Sequence, residues 1–431
     1  MIRKEEGFTL VELLITMVVF VLVIAAASTI FSSLLNQFKQ QSKIIESNVE
    51  GVVGLEIMRV DVQEAGFGIP WFADSNGDGT YDSSDNWTLD VYNEAEGCDN
   101  ADPTTPCFYN DGSTPSAVPA PAVQRAPRAL LATDGNGILG GGGPLLGTGY
   151  RSDYLVVKST SITLGGAAQK WTSITNNGNV NLPAPVMVDE NGQPVTQENF
   201  EPAEWTIAER AVMGGQQKVL VMAVPPTFST VFSAVYSPEP DSYETHLIYG
   251  VGPEQPRVPF NRADFFVATP ATNMPAKCAP NTGILYKAVM NNTVNKSNSG
   301  GFQRLPLLDC VADMQVVFIT DANADGVPEW NNADFPINVA PANPGGVAQA
   351  IREQIKGVVV YILAQEGQRD SNFTFNNFSD CNGDGVADAN CILVGPDAAL
   401  GRAFDLSLIG PDFAHYRWKV YQFAVYPPNL R

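Results

Sequence analysis

One uninterrupted apolar run dominates the start of the chain and predicts a helix that can cross a membrane. The run covers residues 8–31, and Glu12 is its only charged residue. About 24 residues at a rise of about 1.5 Å each give roughly 36 Å, enough for a hydrocarbon core of about 30 Å. Apolar residues then recur at spacings of three, four and seven up to Val53, which predicts an amphipathic continuation. Gly66 and Gly68 are expected to end this helix.

The pattern changes after the helix. Residues 67–153 are rich in proline and glycine and predict a loop-rich excursion, whereas residues 154–431 contain short apolar runs separated by Gly, Pro and Asn. Such spacing predicts mainly antiparallel sheet. The expected fold is therefore α+β: a long helix over residues 8–66, then a β-sheet head with long loops. The predicted strands include residues 154–164, 218–224, 245–251, 284–289, 314–319, 356–363 and 418–426.

Charge and chemistry exclude several classes of function. The chain has 46 acidic and 25 basic residues and a formal charge of −21, without a basic stripe that could neutralise phosphates, so nucleic acid is not an expected partner. No nucleophile, phosphate-loop or zinc-protease motif occurs, and only His246 and His415 could offer imidazole chemistry. We therefore expect no enzyme activity and no required cofactor.

Three interpretations of the N-terminus compete: a permanent anchor, a secretory signal peptide cut before Ser28, and a segment cut on its cytoplasmic side. Three alanines before Ser28 favour ordinary secretion. Glu12 opposes it, because an unpaired carboxylate in the membrane costs about 2.5 kcal/mol or more. The helical pattern also continues past Ser28, although a signal peptide should end there. Both observations favour a retained helix.

Residues 7–14, Gly-Phe-Thr-Leu-Val-Glu-Leu-Leu, resemble the class III signal of type IV pilins and pseudopilins. The resemblance implies that a prepilin peptidase removes leader residues 1–7 after Gly7 and that the new amine of Phe8 is methylated. It also implies that Glu12 pairs with the N-terminal amine of a neighbouring pilin. The implied partners are other pilins and the inner-membrane assembly machinery. The chain would lie in the inner membrane before assembly and at the cell surface afterwards.

Residues 58–67 resemble the corresponding segment of PilW-type minor pilins, and residues 307–320, 351–365 and 416–431 are similar to the later part of such proteins. This resemblance implies a minor pilin of a type IV pilus that acts in assembly or initiation, with a possible place at the tip. Two alternatives remain open at this point: a tip adhesin with a ligand-binding insertion, and a minor pseudopilin of a type II secretion system.

Three segments carry oxygen side chains at the spacing of calcium loops, with glycine at the sixth position and a backbone carbonyl offered by the seventh. The alternative is an Asp/Asn/Gly turn without metal. Calcium is thus a possible ligand. The candidate ligands are Asp74, Asn76, Asp78, Thr80, Asp82 and Asp85; Asp321, Asn323, Asp325, Val327 and Glu329; and Asp380, Asn382, Asp384, Val386 and Asp388.

Six cysteines beside an export signal favour disulfides formed outside the cytoplasm. Pairing of sequence neighbours is one of about fifteen possible arrangements. That arrangement predicts the bridges Cys98–Cys107, Cys278–Cys310 and Cys381–Cys391. A bridge between the last two would close the third candidate calcium loop.

Overall fold

The computed structural model describes residues 9–73, 127–133, 152–163, 165–175, 199–201, 203–211, 218–222, 228–232, 236–238, 244–256, 258–270, 274–293, 302–333 and 351–430. The fold consists of one long α-helix, two large β-sheets and a two-stranded hairpin within these ranges. The long N-terminal helix and the mainly antiparallel sheets confirm the predicted α+β class.

Helix α1 spans Leu10–Gln63, and its 54 residues correspond to about 81 Å of length. It ends three residues before the predicted limit, at a turn in which Gly66 has a φ of +83°. The Gly66 N–H donates to the carbonyl of Lys158 at 2.9 Å. The turn after the helix is therefore hydrogen-bonded to the head.

Sixteen strands lie in the described part of the chain. They are β1 (Phe72–Ala73), β2 (Leu130–Thr133), β3 (Tyr154–Ser159), β4 (Trp171–Thr175), β5 (Trp205–Ala211), β6 (Lys218–Val221), β7 (Thr230–Val231), β8 (Thr245–Gly252), β9 (Asn261–Ala268), β10 (Gly283–Met290), β11 (Phe302–Thr320), β12 (Glu329–Asn331), β13 (Ile355–Glu366), β14 (Cys391–Val394), β15 (Arg402–Asp405) and β16 (Arg417–Val425).

The larger sheet has eight strands in the order β16-β13-β11-β10-β9-β3-β2, with β12 paired to β11. Every pairing in it is antiparallel. Strand β2 lies within the segment 67–153 that the sequence assigns to a loop-rich excursion. Its residues pair with β3 and are buried, so this part of the segment belongs to the head. The four-residue run Leu-Leu-Ala-Thr is too short to be recognised between proline-rich stretches.

The smaller sheet has the order β1-β6-β5-β8-β4, with β7 paired to β5. Only the pairing of β1 with β6 is parallel among its described strands. Strand β1 also lies within 67–153, directly after the turn that follows α1. Strands β14 and β15 form a separate antiparallel hairpin.

The second half of α1 packs on the larger sheet. Its buried face carries Leu55, Met58 and Val62, which together with Ala65 in the following turn join one core with apolar residues of β3, β9, β10, β11 and β13. Burying such side chains stabilises the fold by about 1.5–3 kcal/mol each. This core therefore fixes the head to the helix, whereas residues 10–24 make no part of it.

Gly54 marks the closest approach of α1 to the sheet. A Cβ atom added there would lie 1.9 Å from the backbone carbonyl oxygen of Leu307, a distance that no side chain tolerates. Glycine is unfavourable inside a helix by about 1 kcal/mol relative to alanine. Its presence here is explained by the contact with β11, which only a residue without a side chain permits.

Gly54→Ala is expected to lower the free energy of unfolding by about 1–3 kcal/mol, because helix and strand must move apart despite the better helix propensity of alanine. The measurement is urea denaturation of the chain in detergent micelles. Gly166→Ala is the matched control, since an added methyl group there meets nothing within 4 Å. Equal stability of the two variants would contradict the close approach.

Candidate functional site

The first half of α1 presents apolar side chains on all sides. Each large apolar side chain from Leu10 to Ile24 has more than half of its surface exposed. This segment lies in a helix long and apolar enough to cross a membrane. Because the hydrophobic effect disfavours such a surface in water, the segment requires either lipid or other apolar helices around it.

Glu12 lies in the first turn of this apolar segment and closes a capping box with Thr9. The Thr9 hydroxyl accepts the Glu12 N–H at 3.3 Å, while the Thr9 N–H and hydroxyl both donate to Glu12 Oε2 at 3.0 Å. These bonds satisfy two N-terminal groups of the helix and hold the carboxylate beside the helix start. The carboxylate is thereby oriented towards the end of the chain that carries the N-terminal amine after processing at the predicted position.

The predicted cleavage and methylation residues, Gly7 and Phe8, lie outside the described residues. Their roles remain predictions that the geometry of Thr9 and Glu12 does not test.

A family model described as the prokaryotic N-terminal methylation motif matches residues 2–28. The match covers the leader, the predicted cleavage position and most of the apolar segment, and the exposed apolar helix with its lone carboxylate follows from the same residues. The chain carries a prepilin-type N-terminal signal. Recognition of this signal is thus confirmed, and the motif and the apolar helix together indicate a chain anchored in a membrane.

No curated protein matches this chain. Among solved structures, it is similar to a type IV-like pilin from Thermus thermophilus, with 12% sequence identity and a TM-score of 0.17. That similarity covers 39% of this chain and 80% of the other.

Polar contacts at three positions of α1, namely Asn48, Glu50 and Asp61, join the helix to the head within the described residues, and the sequence alone indicated none of them. Glu50 accepts a hydrogen bond from Lys277 Nζ at 2.9 Å, and the same ammonium lies 3.3 Å from Asp309 on β11. Two residues earlier, Asn48 Oδ1 accepts from Tyr421 at 3.2 Å and from Lys419 at 3.1 Å, both on β16. The third contact joins Asp61 to β10. These contacts lie far apart along the chain, so no local pattern could reveal them.

Asp61 and Lys287 form an ion pair of 2.6 Å between α1 and β10. The Lys287 side chain is 2% exposed and the Asp61 side chain 11%. Burial raises the pKa of Asp61 to about 6, although the nearby ammonium acts in the opposite direction. The pair therefore adds little net stability, because desolvation offsets much of the attraction between the two charges. Its effect is to specify how α1 is positioned on β10.

Two of the three predicted disulfides are present. Cys278–Cys310 joins the segment before β10 to β11 across 32 residues, and Cys381–Cys391 closes a loop of the head. Cys98 and Cys107 lie outside the described residues, so their pairing remains a prediction. Cys278 directly follows Lys277, so the first bridge holds the residue that contacts Glu50 against β11.

The structure describes two of the three candidate calcium loops, because the first loop, residues 74–85, lies outside the described ranges. In the third loop, Asp380 accepts hydrogen bonds from the N–H groups of Gly383 and Gly385, both at 2.7 Å. In the second, Asp325 accepts from the N–H of Val327 at 2.7 Å. Such turns form without metal, and the parts of the chain that are described contain no group of three or more His, Cys, Asp or Glu able to hold an ion. Calcium binding remains a prediction.

The two histidines make structural contacts. His246 Nδ1 lies 2.7 Å from the carbonyl of Tyr236, and His415 Nδ1 lies 2.8 Å from the carbonyl of Phe373. Burial lowers the pKa of His246, which favours the neutral ring. It is the prepilin motif that points to a structural protein.

Asp61→Ala is expected to lower the free energy of unfolding by about 3–5 kcal/mol, because it leaves the Lys287 ammonium buried without a counter-charge. Replacing both residues, as Asp61→Ala with Lys287→Met, should recover most of that loss. Denaturation of the native chain, the two single variants and the double variant gives the coupling. Additive losses in the double variant would contradict a buried pair that joins helix and sheet.

Millimolar calcium is expected to raise the Tm of the chain, because a bound cation would offset the repulsion of clustered carboxylates. The rise should shrink in a variant that combines Asp325→Asn with Asp384→Asn, and magnesium serves as the control ion. An unchanged Tm of the native chain in calcium would show that these turns hold no metal.

Proposed function

We propose that the chain is a minor-pilin structural subunit of a type IV pilus, of the PilW type, and that it acts in assembly or initiation near the fibre tip. The observation that carries the proposal is a prepilin-type N-terminus on an apolar segment, residues 8–31, whose only charge is Glu12. After processing, this helix would stay in the chain, first as membrane anchor and then as the part that enters the fibre.

The capped carboxylate supports a role in docking. An ionised Glu12 in an apolar surrounding is costly unless a positive group meets it. The free amine of a neighbouring pilin is such a group, and the bonds from Thr9 hold the carboxylate at the helix start where an amine can approach. The attraction would then act between subunits and set the axial position at which the helix enters.

The second half of α1 supports contacts with other helices. Its outer face keeps Phe38, Ile45, Val49 and Val52 more than half exposed, although this part of the helix lies beside the head. A stripe of this kind continues the apolar surface of the membrane segment. Helices of other pilins could pack along it without a change in the fold of the head.

The size of the head favours an end position over regular repetition along the fibre. Two sheets of eight and six strands follow the helix, and the chain continues for more than 360 residues beyond α1. Helices packed at 8–10 Å spacing leave little lateral room for such a head at every position. The remaining alternatives, a tip adhesin and a secretion pseudopilin, share the same helix and differ in what the head contacts.

Glu12→Leu is expected to leave the chain in the inner membrane but to reduce its recovery in sheared pili at least about tenfold, since about 1.4 kcal/mol of lost pairing has that effect. Quantitative immunoblots of membrane and pilus fractions give both amounts.

The control is Glu46→Gln, which removes an exposed carboxylate paired with Lys43 on the same helix. This variant should be recovered like the native chain. Normal recovery of Glu12→Leu in pili, or its loss from the membrane, would overturn the docking role.

A further inference from the structure

Glu209 is a buried carboxyl group without a hydrogen-bond partner among the residues that the structure describes. It lies on β5 of the smaller sheet with 1% of its surface exposed, and both carboxylate oxygens lack such a partner within that part of the chain. The strand register places it opposite Leu247 on β8 and Leu220 on β6. Buried polar groups are nearly always bonded, so an orphan carboxyl requires an explanation.

The surroundings of Glu209 favour a neutral carboxyl. The apolar cluster on this face contains Ile207, Leu220 and Tyr249, and such neighbours cannot solvate a negative charge. Two described titratable groups act on this face: Lys218 on β6, whose charge favours ionisation, and the phenol of Tyr249 on β8. Burial outweighs Lys218 and raises the pKa of Glu209 to about 7 from its ordinary 4.5.

This face of the smaller sheet is the one that packs on the end of α1. The ring of Phe67, in the turn after the helix, meets the ring of Tyr249 edge-on at 5.3 Å. The Phe67 carbonyl accepts the N–H of Thr160, which follows β3 of the larger sheet, at 2.9 Å. A Cβ at Gly68 would come within 3.0 Å of both Thr160 and Tyr249. The turn therefore joins the helix to both sheets.

We propose that Glu209 is a proton-controlled latch that keeps the smaller sheet packed on the Phe67 turn when protonated and loosens that contact when ionised. A charge on Glu209 could be solvated only if β5 and β8 separate or water enters between them. The larger sheet and α1 would stay together, because their core lies elsewhere. This device does not depend on the proposed place of the chain in a pilus.

The direction of the pH dependence follows from the raised pKa. The folded state holds the proton up to about pH 7 and the unfolded state only up to about 4.5. The contribution of Glu209 to stability is therefore full below pH 4.5 and is lost as the pH rises to about 7. Above neutral pH the smaller sheet should open more often.

Hydrogen exchange of the full chain in detergent micelles tests the latch. After division by the intrinsic exchange rates, protection of β5 and β8 amides should fall on the order of 100-fold between pH 4.5 and pH 8. In Glu209→Gln, the fall should be less than about threefold, because the variant has no proton to lose. Glu209→Leu should behave in the same way, and it avoids a buried amide if the glutamine variant folds poorly.

Two comparisons make the result specific. Glu254→Gln removes an exposed carboxylate just beyond β8 and should keep the pH dependence of the native chain. Amides of β13 and β16 report the larger sheet, whose own pH dependence comes from Asp313 on β11 and from Asp61 on α1, because burial raises the pKa of both to about 6. A native chain without loss of protection in β5 and β8, or Glu209 variants that keep that loss, would overturn the proposal.

Discussion

The structure depends on one constraint: a single continuous helix must be stable in an apolar surrounding at one end and against the β-sheet head at the other. Residues 10–24 of α1 expose apolar side chains on every face and need lipid or other apolar helices. From Leu55 onwards the same helix buries one face in the core of the larger sheet. Because the helix is unbroken from Leu10 to Gln63, any force on the apolar end is transmitted directly to the head.

Close packing and a few polar contacts together hold α1 on the larger sheet. Packing allows Gly54 to touch the backbone of β11, and the contacts of Asn48, Glu50 and Asp61 fix the helix along its axis. Ion pairs of this kind add little net stability, but a helix shifted by one turn would leave Lys287 buried without a counter-charge. The polar contacts therefore specify register, while the apolar core supplies most of the stabilisation.

The sequence predicted the parts whose signal is local. The apolar run gave the helix, and strands such as β10, β13 and β16 were recognisable from their apolar residues. Strand β9 was missed because Arg262 and Asp264 interrupt its pattern, yet these residues form a buried ion pair of 2.7 Å. Strand β5 was missed for a similar reason, since it carries Glu209 and Arg210 in its interior.

The same distinction between local sequence signals and contacts of distant residues applies to the candidate site. The pattern from Gly7 to Leu14 is contiguous, so the prepilin signal could be recognised without coordinates, while the pairing role of Glu12 stays a prediction. Gly54 could be interpreted only as a weak point of the helix, because its contact with β11 joins residues about 250 positions apart. The contacts of α1 with Lys277 and Lys287 likewise required the fold.

The central claim is that the apolar helix remains in the mature chain after a cut on its cytoplasmic side. Mass spectrometry of the mature N-terminus, on chain purified from membranes, tests this claim most directly. We expect a first residue of Phe8 with a methylated amine. A mature chain that begins at Ser28, without the helix that carries Glu12, would contradict the account.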